Sequence, residues 1–384
     1  MKKSLIALSL GTLVLGIAEF VMMGILTNVA NSLNLSIPTA GHFISAYALG
    51  VCFGAPLLII LRRRPPKEIL IVLVVLMIIG NSFASVSPNY IIMLVARFIS
   101  GLPHGAYFGV ASIVASKLAD KGRESEAVAI MIAGMTIANL IGVPVGTFLS
   151  TFLSWRVVFI IVVIFAFLTL YFIRKFVPYI SPLPDKGFRG QFRFLKSKAP
   201  WLILGATALG NGGVFAWYSY INPLLVNVSG FSPATITPLM VLAGGGMVLG
   251  NLCGGRLSTH FFPGKVAEVL QVVMTVALIA MFIGAGNPII AVILMCVITF
   301  GLFGVSSPQQ FLIIKHAPGG EMLGAAGIQI AFNLGNAIGA YLGGVPINRG
   351  MGEQYSALIG AGLTFVGFLI FRTFNKNYSK GSKK

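Results

Sequence analysis

The chain has 384 residues, 57% of them hydrophobic and only 9% charged, whereas soluble domains carry about 25% charged residues. A mean hydropathy of +0.92 marks an integral membrane protein, and 46 glycines and 19 prolines without period-2 alternation indicate helices, not a lipid-facing barrel. The net charge of +18 would point to nucleic acid in a soluble chain; here it sits in short loops between apolar runs, where it is an orientation signal.

Met1-Lys2-Lys3 followed by an apolar run mimics a secretory signal. The run continues past Glu19 without a small-residue cleavage site, so an uncleaved first span is expected. Further apolar runs bring the total to twelve, near 4–30, 39–61, 68–87, 89–116, 125–150, 155–176, 200–226, 232–258, 265–285, 287–314, 321–348 and 353–375. The expected fold class is therefore all-α integral membrane.

Glu19 is the one acidic residue deep in any run. A carboxylate at mid-helix costs about 3 kcal/mol on insertion scales. Such a group faces a bundle interior or a water-filled path and marks an ion or proton route, unless it is a permanently paired polar group holding helices in register.

The loops alternate in charge. One side of the membrane collects 24 of the 27 Lys and Arg residues; the other has only Arg156 and Arg349, while Arg97 lies inside a span. The positive-inside rule then places both termini in the cytoplasm. The longest connection, 177–199, carries PYISPLPDKGFRGQFRFLKSKAP. It divides the chain into six-span bundles at 1–176 and 200–384. Phe188, Phe192 and Phe194 among its charges fit either a short helix on the membrane surface or a flexible linker. Asn139, Gly142 and Gly146 recur as Asn336, Gly339 and Gly343, and Gly50 and Gly54 as Gly246 and Gly250. Two anchors at nearly one offset indicate duplication, a transporter architecture with its site between the repeats near the midplane.

The fourth run contains RFISGLPHGAYFG, in which Arg97, Ser100, Gly101 and His104 share one helix face. A guanidinium at that depth needs a carboxylate or several carbonyls, so Arg97 and Glu19 are expected to sense each other. Arg97 favours the carboxylate and burial the neutral acid; a cycle alternating the two would load and release a proton. Arg97 as a fixed strut on helix carbonyls is equally compatible. His104, beside Pro103, is a candidate for proton handling or substrate contact, or a hydrogen-bonded spacer. His42 is a weaker candidate, and His260 and His316 fall in loops where they are expected to be solvated.

In the fifth run Gly142, Pro144 and Gly146 let helices approach and bend, as a gating hinge requires. The seventh places Asn211, Phe215, Tyr218 and Asn222 on one face, with Trp217 and Tyr220 close by. The eleventh places Gln329, Asn333 and Asn336 together. Amides and aromatics on an inward face suit a neutral polar or amphipathic ligand, or interhelical hydrogen bonding. Nucleotide-binding, zinc-protease and nucleophile-elbow patterns do not occur, and Cys52, Cys253 and Cys296 have neither disulfide nor zinc spacing. No enzyme, cofactor, metal or nucleic-acid partner is expected.

The stretches LGTLVLGIAEFVMMGILTNVA, SIPTAGHFISAYALGVCFGAP, ARFISGLPHGAYFGV, GMTIANLIGVPVGT, SWRVVF, GNGGVFAWYSYINP and GAAGIQIAFNLGNAIGAYLGG together make the chain resemble a bacterial major facilitator superfamily permease of the drug:proton antiporter, arabinose-efflux-like branch. The resemblance covers essentially the whole chain. It implies twelve helices in two pseudo-symmetric bundles, rocker-switch alternating access and proton-driven export. Arg97 with Gly101 matches the family's fourth-helix arginine motif, which is associated with proton coupling. Gly134, Gly142, Pro144 and Gly146 match a variant of its fifth-helix antiporter motif. One departure is that Arg63, and Thr259 in the second half, stand where the family's loop motif usually has an acidic residue. The charge lock made there by that acid is not available. The function expected is a proton-coupled exporter of sugars or small amphipathic, drug-like compounds. An uncoupled facilitator or importer is the alternative, and a monomer is expected because one chain holds a complete pathway.

Overall fold

The computed structural model describes residues 2–35, 37–183 and 187–379, so Lys186, Lys380, Lys383 and Lys384 of the charge pattern, and the Phe188 side chain, lie outside the described residues. The described residues form helices joined by short loops, with no strand among them. Twelve helices are long and apolar enough to span a bilayer: α1 (Lys2–Leu26), α2 (His42–Leu61), α3 (Pro66–Val86), α4 (Tyr90–Leu118), α5 (Glu124–Ser150), α6 (Trp155–Phe176), α7 (Lys198–Tyr218), α8 (Ile236–His260), α9 (Pro263–Gly284), α10 (Pro288–His316), α11 (Glu321–Asn348) and α12 (Tyr355–Tyr378). They coincide with the twelve apolar runs to within a few residues, except that α7 ends at Tyr218 and not near 226.

Local chemistry sets the helix ends. The Asn89 side chain accepts from Ile92 N at the start of α4, and Asn287 accepts from Ile289 and Ile290 N at the start of α10; each satisfies backbone donors that the first turn leaves free. Pro66, Pro263 and Pro288 occupy first helical positions, where the missing N–H costs nothing.

Contacts group the chain into two compact units. One comprises Met1–Asp120, Ile130–Phe194 and Ala317–Gln329, the other Lys121–Ala129, Leu195–His316 and Ile330–Lys384. The division runs through α5 and α11 because the first turns of each pack on a helix of the other set. In the first unit Gly109 of α4 abuts Met322 and Ala326. In the second, Asn251 Nδ2 of α8 donates to Ala129 O at 2.7 Å.

The same helix pairings occur in both units. α2 meets α4 through Gly50, Gly54 and Gly101, where a Cβ would strike a carbonyl oxygen; α8 meets α10 through Gly246, Gly250 and Gly254 in the same way. α5 packs on α1 through Gly142 and Gly146, and α11 on α7 through Gly339 and Gly343. The repeated glycines of the sequence thus sit at matching helix crossings, where small residues let backbones approach.

Two expectations change. The linker contains short helical pieces, Gly187–Gln191 and Arg193–Lys196, yet Phe194 is buried against the turn at Gly320, so it packs on protein and not on lipid. His316 is half-buried and not fully solvated. Its ring contacts Phe374 and Tyr378, and Nδ1 lies 2.9 Å from Leu312 O.

Candidate functional site

In the first unit, α1 brings Glu19 and α4 brings Arg97 and His104 into one buried cluster. Glu19 is 6% exposed, and Arg97 and His104 are fully enclosed. The Gly101–Gly50 approach presses α2 onto α4, so Tyr47 lies across both basic residues. Arg97 Nη1 donates to Ala18 O at 2.7 Å and Nε to Phe43 O at 3.4 Å. Its guanidinium carbon stands 4.5 Å from the Tyr47 ring centre and 6.0 Å from that of Phe159, within cation–π range. The carbonyl that receives Arg97 belongs to the residue before Glu19. Arg97 therefore holds the backbone of α1 beside the carboxyl and makes no salt bridge with it.

His104 Nδ1 lies 2.9 Å from the Tyr47 hydroxyl and 3.7 Å from Glu19 Oε2, and its ring stacks on Phe108 at 5.2 Å. Gln329 of α11 lies beside the imidazole, whose Nε2 makes no hydrogen bond of ordinary geometry. Glu19 Oε2 and Arg97 Nη2 likewise find no partner among the described residues. Burying such groups unsatisfied costs several kcal/mol, so the cluster holds spare capacity for a proton, a water or a ligand group.

In the second unit the α7 face is interrupted. The helix widens to a π-turn over Thr207–Asn211 and stops at Tyr218; Ile221–Pro223 then form a separate short turn. Pro223 has no N–H to offer Ser219 four residues earlier and its ring crowds that carbonyl, which breaks the expected periodicity. Asn222 is exposed and does not continue the row begun by Asn211. Asn211 accepts from Gln309 Nε2 at 3.0 Å and donates to Leu302 O at 3.4 Å. Phe215 meets Tyr218 and Phe332 edge-on at 5.7 and 5.3 Å. Trp217 is fully buried, and its Nε1 makes no hydrogen bond among the described residues. On α11, Gln329 and Asn333 are buried and Asn336 is half-buried. The fully buried amides Gln271, Gln309 and Gln310 were not singled out from the sequence. The adjacent pair Gln309-Gln310 inside an apolar run was a legible signal for the last two.

In α5, a π-turn over Ala138–Gly142 directly precedes Pro144, whose missing N–H removes one rung of the helix ladder. Gly134 abuts Ser9 and Thr12, Gly142 abuts Ile17, and Gly146 abuts Val21 and Val158. An apolar groove of about 250 Å³ runs alongside, lined in part by Ile17, Ile141, Gly142 and Val145.

Twelve apolar helices with a charged cluster enclosed at span depth define a multi-pass membrane protein of transporter type. The Major Facilitator Superfamily model matches residues 8–340, and the chain belongs to that family, whose members are transporters and not enzymes. It is 46% identical to AraJ of Escherichia coli (strain K12), a transporter by provisional assignment, over 95% of this chain and 93% of that one. It is 34% identical to the inner membrane transport protein YdhP of the same strain, with 93% of this chain and 92% of the relative covered. Among solved structures, a variant of the E. coli fucose:proton symporter FucP superposes with a TM-score of 0.78 at 17% identity, covering 96% of this chain and 98% of that one. That last likeness is one of fold.

Proposed function

We propose that this chain is a proton-coupled exporter of sugars or small amphipathic compounds, working by alternating access in a bacterial inner membrane with both termini cytoplasmic. The observation that carries the reading is the Glu19 carboxyl: buried, with Oε2 lacking a hydrogen-bond donor, 3.7 Å from His104 Nδ1 and beside the α1 backbone that Arg97 grips. A group so placed changes its preference for a proton whenever α1 moves relative to α4, because burial opposes its charge and Arg97 favours it. Glu19 is then the proton carrier and Arg97 sets its field. His104 with Tyr47 is the adjacent relay.

Asn211, Phe215, Trp217, Tyr218, Gln329, Asn333 and Asn336 are proposed to supply polar and aromatic contacts to the substrate, with Gly134, Gly142, Pro144 and Gly146 as the hinge. Six-span bundles at 1–176 and 200–384, joined by 177–199, are the proposed moving bodies, and the monomer the working unit. Similarity to two transport proteins supports the reading.

The test is reconstitution in liposomes with an internal pH-sensitive dye, an imposed proton gradient, and candidate sugars and cationic dyes. Proton movement that requires substrate and vanishes in Glu19→Gln is expected. Substrate flux indifferent to both the gradient and the substitution would leave an uncoupled facilitator instead.

A further inference from the structure

At one end of the first unit the loop after α2, the start of α1 and the end of α6 converge. Lys67 Nζ donates to Arg174 O at 2.8 Å, Ser4 Oγ donates to Phe176 O at 2.7 Å, and Lys3 Nζ stands 5.7 Å from the Phe176 ring centre. These contacts gather Lys3, Arg64, Lys67, Arg174 and Lys175 into one patch, all exposed except Lys67, which is partly so. Within residues 2–5, 62–68 and 171–176 the sole carboxylate is Glu68. Its contact with Arg64 is an exposed pair at 3.3 Å, weak and easily exchanged. Lys67 is bonded to a backbone carbonyl, which orients its ammonium without neutralising it. In the second unit, by contrast, Lys265 is held at 2.8 Å by Glu268, which also accepts from Asn375.

Beside Arg64 is a cavity of about 180 Å³ whose remaining lining is Leu61, Glu68, Ile69 and Val72. Its lining joins the exposed Arg64–Glu68 pair to apolar side chains where the apolar helix α3 begins, with the cations of the patch around it. Such a junction matches the boundary between a phosphate headgroup and acyl chains, and arginine and lysine are the side chains that engage phosphate oxygens. We propose that this patch is a binding site for the headgroup of an anionic bilayer phospholipid, with one acyl chain along Leu61 and Val72. The site is independent of the proton route at Glu19.

The experiment is native mass spectrometry of the full chain in detergent, titrated with phosphatidylglycerol and separately with phosphatidylcholine of the same acyl chains. The first phosphatidylglycerol is expected to bind about tenfold more tightly, in keeping with a few surface cations acting together. The triple variant Arg64→Gln/Lys67→Gln/Lys175→Gln should abolish that preference, while Lys265→Gln/Arg372→Gln in the second unit should leave it intact. Lys67→Arg, which keeps the charge, should also leave it intact, and every variant is checked for an unchanged elution volume. Equal binding of the two lipids to the wild type, or equal loss in both multiple variants, overturns the proposal. So does full displacement of phosphatidylglycerol by millimolar inorganic phosphate, which would mark a site for free phosphate. The wild-type lipid comparison and the phosphate arm decide the matter even if the triple variant fails to fold.

Discussion

Arg97 answers to two carbonyls on different helices, Ala18 O of α1 and Phe43 O of α2, with the Tyr47 ring beneath it. A planar fork reaches both at once; a lysine ammonium, a point charge on a flexible stem, does not. Arg97→Lys is therefore expected to keep the charge yet lower proton-coupled flux at least tenfold in the liposome assay. Tyr47→Phe is a finer cut. It preserves the ring under Arg97 and removes the hydroxyl 2.9 Å from His104 Nδ1, a loss worth about 1 kcal/mol of stability. The melting point in detergent should fall slightly, whereas coupled flux should fall several-fold and its pH profile should shift. An unchanged profile would reduce Tyr47 to packing. The face of Arg97, Ser100, Gly101 and His104 was legible from helical spacing alone. Tyr47 was not, because a tyrosine in an apolar run carries no mark of the helix it will lean on.

At the level of helices, glycine and proline act in opposite ways. At Gly101 a Cβ would fall on the Tyr47 carbonyl oxygen, so Gly101→Ala must push α2 away from α4. Overpacking of this kind costs typically 1–3 kcal/mol. The variant should melt earlier and lose transport, since the displaced α2 carries Tyr47 and the Phe43 carbonyl. Pro144 follows the π-turn of α5; Pro144→Ala restores an N–H and favours a regular helix. That variant is expected to melt at the same or a higher temperature and to transport more slowly, the outcome that distinguishes a hinge from plain packing. The break at Ser219–Tyr220 belongs to the same scale. The spacing of Asn211, Phe215, Tyr218 and Asn222 promised one face, but Pro223, visible in the same stretch, decides against it.

Across the whole molecule the charge pattern of the loops makes a prediction about orientation. A cytoplasmic-only fluorescent reporter fused after Tyr378 should light up, and one inserted at Arg349 should stay dark; the reverse would overturn the positive-inside reading.

What the sequence by itself determined is the number of spans, the loop charges, the isolation of Glu19 and the glycine repeats that recur at matching helix crossings. All of these are sums over neighbouring residues or one-dimensional periods, and they survive any choice of helix packing. Only the tertiary structure decided that Arg97 grips the α1 backbone without salt-bridging Glu19, that Tyr47 bridges to His104, that Gln309 meets Asn211, and that Phe194 and His316 pack on protein. Each depends on the relative depth and rotation of two helices. Those are set by small steric clearances and by polar groups that must find partners without water, and neither is written in any single stretch of the chain.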